Sequence, residues 1–366
     1  RALRRRHLGP LEPPGGDPIR RWRLLDENGT SYWWRSLARN KRCIVIDLRQ
    51  EEGRGLAKAL ALESDVLVEN FRPGTMERWG LGPEVFAVHK PELVYARVSG
   101  YGQTGPYRER PGYASVAEAV GGLRHVTGQP GELPVRSNVS LGDTLAGMST
   151  VIGVLAALHA RARDGRGQVV DTSLYEAVLG ALEGVIDEHA GAGAVRQPSG
   201  HTVSGIVPSN LYPCRGDKHV IIGANGTSLY ARLMRTVGRD DLADDPTLGD
   251  NPGRVARAEE IDAAIAEWTS QRSVGEVVDA MVAAAVPCGP IYDADDMARD
   301  PHFAARGVFE SVDGMVVPSI APKLSRTPGR TQWTGRGIGA DTDRVLGELL
   351  GLDAAELARL RARGVI

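Results

Sequence analysis

Cysteine is scarce in this chain of 366 residues: Cys43, Cys214 and Cys288 are the only three, and they stand far apart. No Cys-x-x-Cys pair occurs, and the eight histidines show no His-x-x-x-His spacing. Neither a metal site nor a disulfide framework is expected, and reduced thiols in a cytoplasmic setting are. A surplus of one charge is also lacking, since 44 Lys and Arg face 46 Asp and Glu, for a net charge of -2. That argues against a dedicated nucleic-acid partner, which needs excess cations to neutralise phosphates. Local basic groups can still hold a small phosphate ligand. No apolar run approaches the roughly 18–20 residues that cross a bilayer, so no membrane partner is expected. The basic run Arg1–Arg6 has no apolar stretch behind it and does not read as a secretory signal.

Glycine (45) and proline (22) are plentiful, which implies many tight turns. Hydrophobic residues make up 42% and charged residues 25%, enough for one large or two ordinary globular domains. Short apolar runs recur at Cys43–Leu48, Asp65–Asn70 and Leu93–Val98, with a helical pattern over Glu51–Glu63 between the first two. Such alternation predicts βαβ units and a parallel sheet, an α/β architecture. A long helix is predicted from about Asp143 to Arg163, where Leu145, Met148, Ile152, Leu155 and Leu158 repeat at helical spacing. A short strand at Val169–Asp171 and a helix over Leu174–Glu188 follow. The Gly-rich stretch Gly191–Ser204 reads as a loop or hinge.

Beyond it the pattern predicts a strand at His219–Gly223 and helices at 226–237, 257–270 and 273–285. A sharp turn is expected at Pro287–Pro290, and a hairpin over Phe309–Ile320 turning at Asp313-Gly314. Two helices, 341–350 and 353–363, close the sequence.

One carboxylate stands out. Asp143 lies in Ser140-Leu141-Gly142-Asp143, where a loop gives way to the long helix. By position alone such an Asp is usually a cap for backbone N–H groups that have no partner inside the helix, and only less often a carboxylate poised to react. Asn70-Phe71-Arg72-Pro73-Gly74 follows a strand end, where α/β folds place ligands. Ser99-Gly100-Tyr101-Gly102-Gln103-Thr104-Gly105-Pro106 follows the next strand end. Its glycines allow close backbone approach to a ligand, but they do not form a dinucleotide fingerprint. Arg108 and Arg110 form a basic cluster, as do Arg161, Arg163 and Arg166; most such charges only solvate a surface. His125 and His159 have no partner at a defined spacing and read as structural.

Seven ordered segments give these pieces a context: PPGGDPIRRW (13–22), RNKRCIVIDLR (39–49), DVLVENFRPG (65–74), VSGYGQTGP (98–106), RPGYASVAEAVGGL (110–123), SLGDTLAGM (140–148) and VPCGPIYD (286–293). Together they resemble the family III CoA-transferases, the group that includes formyl-CoA, carnitine-CoA and succinyl-CoA transferases. The resemblance implies a large Rossmann-like domain, from residues 1–200 and the returning 315–366, with a smaller α+β domain at 201–314. It also implies a homodimer of two interlocked rings.

The resemblance makes Asp143 the nucleophile, carrying an aspartyl-CoA thioester during CoA transfer from an acyl-CoA to a carboxylic acid. CoA is then a substrate and no fixed cofactor is expected. By matched position Arg49, Asn70, Phe71, Arg72 and Arg78 contact CoA, while Gly112 and Tyr113 lie beside the thioester. Ser204 and Gly205 fall in a mobile loop that guards the intermediate. That loop is poorer in glycine than in formyl-CoA transferase, which argues against a formyl-CoA and oxalate pair. The segment Val207–Pro213 is similar to dicarboxylate-type members, so succinyl-CoA is the expected donor and a dicarboxylate the expected acceptor.

Two departures from the family pattern matter. The family's first strand and helix are absent or replaced by Arg1–Leu11, and Ala114 stands where relatives often carry Asp or Glu. Two other functions compete. A 2-methylacyl-CoA racemase would need paired bases, yet Tyr113 and Ala114 replace the His and Asp of such relatives. An inactive CoA-binding partner subunit would follow from a lost binding edge.

Overall fold

The computed structural model describes residues 9–366; the basic run Arg1–Arg6 lies outside the described residues. The fold is mixed α/β. The chain forms two compact units. One takes in the described residues up to Ala117, then Gly142–Ala177 and Arg299–Ile366; the other takes in Glu118–Leu141 and Val178–Ala298. The expected break points were 200 and 314. The hairpin β9 (Phe309–Val312) and β10 (Met315–Pro318) falls in the first unit, where Thr334 N–H donates to Asp313 and Thr331 N–H to Glu310.

The first unit holds β1 (Leu11–Glu12), β2 (Ile44–Val45), β3 (Val66–Glu69), β4 (Val94–Ser99) and β5 (Val169–Ser173). β4 pairs in parallel with β3 on one side and β5 on the other, as the alternating pattern predicts. Val94, Tyr95, Ala96 and Arg97 are all buried, which fits a central strand covered on both faces. β1 and β2 form a separate parallel pair. A cavity of about 390 Å³ is lined by Leu11 of β1, by Val66, Leu67 and Val68 of β3, and by Leu60 of the helix Glu51–Leu62. The two C-terminal helices, Thr342–Leu350 and Ala354–Ala362, contribute Val345, Leu346 and Leu357 to a core shared with Ile44, Ile46 and Leu60.

The long helix runs from Leu141 to Asp164. Its larger apolar residues are not the face it buries. Met148, Ile152 and Leu155 are exposed, whereas Gly142, Ala146, Thr150 and Ala157 are buried. Small residues bring the helix close to the sheet: a Cβ on Gly153 would lie 2.7 Å from Val170 Cγ1. This helix also corrects the expectation about membrane-length runs. Its mean hydropathy reaches 1.6 over an 18-residue window, so by length and composition alone it could cross a bilayer. Gly, Ala, Ser and Thr between the larger apolar residues hide that property from a search for strongly apolar runs.

In the second unit β6 (Ser209–Cys214), β7 (Lys218–Gly223) and β8 (Cys288–Pro290) form an antiparallel sheet in that order. Its inner face, with Tyr212, Val220 and Ile222, packs on Tyr230, Leu233, Ile261, Ile265 and Val277 from three helices. The sequence reading misses β6, because Pro208 and Pro213 bracket an ambiguous run. It also reads β8 as a turn. The helix expected over Leu174–Glu188 breaks into Leu174–Leu179 and Val185–Ala192, with Glu183 (φ 46) and Gly184 (φ 80) left-handed between them.

Candidate active site

β3 and β4 end side by side, with Glu69 paired in register to Arg97. Both are buried, and Arg97 Nε donates to Glu69 Oε1 at 2.8 Å while its Nη1 donates to Glu77 Oε1 at 2.6 Å. Burial pushes the Glu69 carboxyl up, partly offset by Arg97. Burial works against the Arg97 charge, yet hydrogen bonds to Glu77 and Glu69 raise its pKa overall. The other oxygen of Glu69 accepts from Phe71 N–H at 2.7 Å, which fixes the turn just past the strand. Phe71 then packs edge-on against Trp79, with centroids 5.1 Å apart. Gly74 closes the turn in the left-handed region (φ 81), where a side chain would be strained.

After β4, Ser99 Oγ accepts from Gly102 N–H at 3.0 Å and Asp171 Oδ2 from Gln103 N–H at 3.0 Å. The loop returns so that Gly112 faces Gly100 directly, and a Cβ on either would lie 3.0 Å from the other's Cα. Arg110 stacks over the Tyr107 ring at 3.5 Å.

These turns enclose a cavity of about 200 Å³. Asn70, Phe71 and Arg72 line it from the end of β3, and Gly112 and Tyr113 from the returning loop. Five of the expected CoA contacts thus share one cavity. Arg49 and Arg78 are not among its lining residues. Arg49 instead makes a two-pronged pair with Asp47, at 2.8 and 3.0 Å, and Arg78 donates to Thr75 Oγ1 at 3.0 Å. The Arg49 hydrogen bond holds the Asp47 carboxyl down at about 2.

Two lining residues that the sequence reading left among solvated charges, Arg108 and Arg110, join Arg72 there. Three arginines and no acidic residue line the cavity, which suits an anion, while Arg108 Nη2 also pairs with Glu109 Oε1 at 3.3 Å. Their one sequence hint is position, since Arg108-Glu109-Arg110-Pro111 runs directly into Gly112-Tyr113.

Asp143 is exposed in the first turn of the long helix, two residues inside its start at Leu141, and so is not the N-cap. Its neighbour Gly142 packs against Ala114, to whose carbonyl oxygen a Cβ on Gly142 would come within 3.0 Å. Ala114 directly follows Tyr113. The small residue at 114 therefore lets the helix start lie against the end of the arginine-lined loop. Ser204 and Gly205 belong to the second unit, where both are exposed and Gly205 is left-handed (φ 74). No cluster of His, Cys, Asp and Glu that could hold a metal occurs among the described residues. Burial pushes the Cys288 thiol up to about 11.

A parallel sheet with an arginine-lined cavity at its strand ends is the arrangement of ligand-binding α/β proteins. The comparisons then specify which. Residues 10–342 match the model of CoA-transferase family III. The succinyl-CoA–D-citramalate CoA-transferase of Chloroflexus aurantiacus is 42% identical, over 97% of this chain and 90% of the relative. The alpha subunit of the succinyl-CoA–L-malate CoA-transferase of the same organism is 40% identical, over 97% of this chain and 79% of the relative. A crystal structure of a CAIB/BAIF family protein from Brucella suis superposes with a TM-score of 0.81 at 30% identity, covering 93% of this chain and 90% of that one. The chain belongs to CoA-transferase family III and is a CoA-transferase.

Proposed function

We propose that this enzyme moves CoA from succinyl-CoA to a dicarboxylate acceptor through an aspartyl-CoA thioester on Asp143. One observation carries the reading: Gly142, beside Asp143, is packed on Ala114, beside Tyr113 at the rim of the arginine-lined cavity. The named activities of the citramalate and malate relatives support the substrate class.

The Asp143 carboxylate attacks the succinyl thioester carbon, the C–S bond breaks, and CoA leaves as thiolate with an anhydride on Asp143. The thiolate attacks the aspartyl carbon of that anhydride, releasing succinate and forming aspartyl-CoA. The acceptor carboxylate displaces the thiolate from the aspartyl carbon. The thiolate then attacks the acceptor's acyl carbon and frees the Asp143 carboxylate. The carboxylate splits one difficult exchange into steps that keep the acyl group activated. N–H groups of the helix's first turn favour negative charge beside Asp143. Arg72, Arg108 and Arg110 attract the anionic substrates, with Asn70, Phe71, Gly112 and Tyr113 along CoA. Ser204 and Gly205 shield the intermediates from water, and Arg49 and Arg78 meet CoA phosphates further out. CoA comes and goes as substrate, and no metal takes part.

We further propose an interlocked homodimer. The apolar stripe of Met148, Val151, Ile152 and Leu155 is about three-fifths exposed, which favours a covering partner.

The test is incubation with succinyl-CoA and a panel of mono- and dicarboxylates, following new acyl-CoA species by mass spectrometry. A new thioester made by the wild type and absent with Asp143→Asn is expected. Full exchange by a folded Asp143→Asn enzyme would remove the nucleophile assignment.

A further inference from the structure

We propose that Asn251 is a positioning residue of this transferase: its carboxamide clamps the base of the Val203–Ile206 turn and so holds Ser204 and Gly205 in place. The inference rests on the reading of that turn as the loop that shields the acyl intermediate.

The turn is closed by one bridge, Val203 to Ile206, in which Ile206 N–H donates to Val203 O at 3.2 Å. A tip held by one such bond would sample several conformations. Its leading leg is tied to itself: Ser199 Oγ donates to Thr202 O at 2.7 Å and Thr202 Oγ1 to Ser199 O at 2.9 Å. The trailing leg is held from outside. Asn251 Nδ2 donates to Gly205 O at 2.7 Å, and Asn251 Oδ1 accepts from Val207 N–H at 3.2 Å. One side chain thus satisfies a carbonyl and an N–H two residues apart, as a neighbouring strand would.

The clamp itself is rigid. Asn251 is the first residue of the helix Asn251–Ala256, and the preceding Asp250 caps that helix through Gly253 N–H at 2.9 Å. Arg254, one turn on, is 1% exposed and directs its guanidinium hydrogen bonds to backbone carbonyls. It reaches Val207 O at 3.0 Å, Leu248 O at 3.0 Å and Asn225 O at 2.7 Å. A buried Arg with no carboxylate partner is unusual, and burial lowers its pKa. Its role here is mechanical: it fastens the residue after the turn to the platform that carries Asn251. The helix Asn251–Ala256 therefore sets where the exposed Ser204–Gly205 tip stands.

A loop held in place keeps water from an activated acyl group, so loosening it raises hydrolysis relative to transfer. The experiment measures both for succinyl-CoA with the acceptor found above, in wild type, Asn251→Ala, Asn251→Asp and Gly205→Val, each checked by thermal melting. Amide hydrogen exchange of residues 204–207 is recorded alongside. Asn251→Ala removes both hydrogen bonds and is expected to raise the hydrolysis-to-transfer ratio by at least about fivefold, and to speed exchange at Val207. Asn251→Asp, which keeps the acceptor for Val207 N–H, is expected to fall between. If Gly205→Val raises the ratio and Asn251→Ala leaves ratio and exchange unchanged, the clamp is wrong and the loop reading stands. If Gly205→Val leaves the ratio unchanged, the loop reading fails and the proposal fails with it.

Discussion

Gly100 and Gly112 stand back to back, so close that a Cβ on either would lie 3.0 Å from the other's Cα. That contact joins the end of β4 to the loop carrying Arg108, Arg110 and Tyr113, and so sets the width of the arginine-lined cavity. Gly112→Ala is expected to push the two segments apart by a few tenths of an ångström and to cost about 1–3 kcal/mol of stability, as overpacking does. Thermal denaturation measures the cost, and a CoA titration measures the accompanying loss of affinity. Unchanged melting and binding would show that the backbones can separate freely.

Arg97 pairs with two carboxylates, Glu69 and Glu77, and Glu69 directly precedes the cavity-lining Asn70. Arg97→Leu leaves the buried Glu69 unpaired and is expected to cost about 3–5 kcal/mol near neutral pH. The sign of the pH dependence follows from Glu69, whose carboxyl burial already pushes up. Without Arg97 it rises further, so the variant should lose stability as pH climbs above about 4.3, the unfolded value. Urea denaturation across that range checks the direction.

Asp47 supplies an opposite dependence. Its folded pKa of about 2 lies below the unfolded value of about 3.9, so its contribution is complete above the latter. It is lost as pH falls from about 4 towards 2. Arg49 is 78% exposed, and solvent screening keeps the contribution of the pair small. Asp47→Asn should therefore narrow its stability gap to wild type as the solution is acidified through that window, and a constant gap would count against the pair.

In the second unit, buried Tyr212 donates its hydroxyl to Asp262 Oδ1 at 2.6 Å, and Asn210 Nδ2 donates to Oδ2 at 2.9 Å. Tyr212→Phe is expected to cost about 1.5–3 kcal/mol, the range for a hydrogen bond to a charged group. Denaturant unfolding reads the loss. Asn210 should keep Asp262 in place, so a double change with Asn210→Ala should exceed the sum of the single ones.

Much of the architecture was legible in the residues themselves. Apolar runs fixed β3, β4 and β7 to within a residue or two, because strands buried on one or both faces leave a short, dense signal. The helix 141–164 and the two C-terminal helices were legible for the same reason at a longer period. Asp143 and the Asn70–Arg72 turn were singled out as candidates by ordered motifs, which survive as sequence whatever the fold does.

The tertiary structure decided the rest. Nothing in Arg108-Glu109-Arg110 separates a solvated surface from a cavity wall; the packing of Gly112 on Gly100 does that. Met148, Ile152 and Leu155 predicted a helix correctly but not the face it buries, since contact with β5 needs small residues and the sequence period does not rank them. Asn251 and Arg254 carry no motif at all. Most of their hydrogen bonds go to backbone carbonyls and N–H groups 29 to 47 positions away in the chain, and only folding brings those groups within reach.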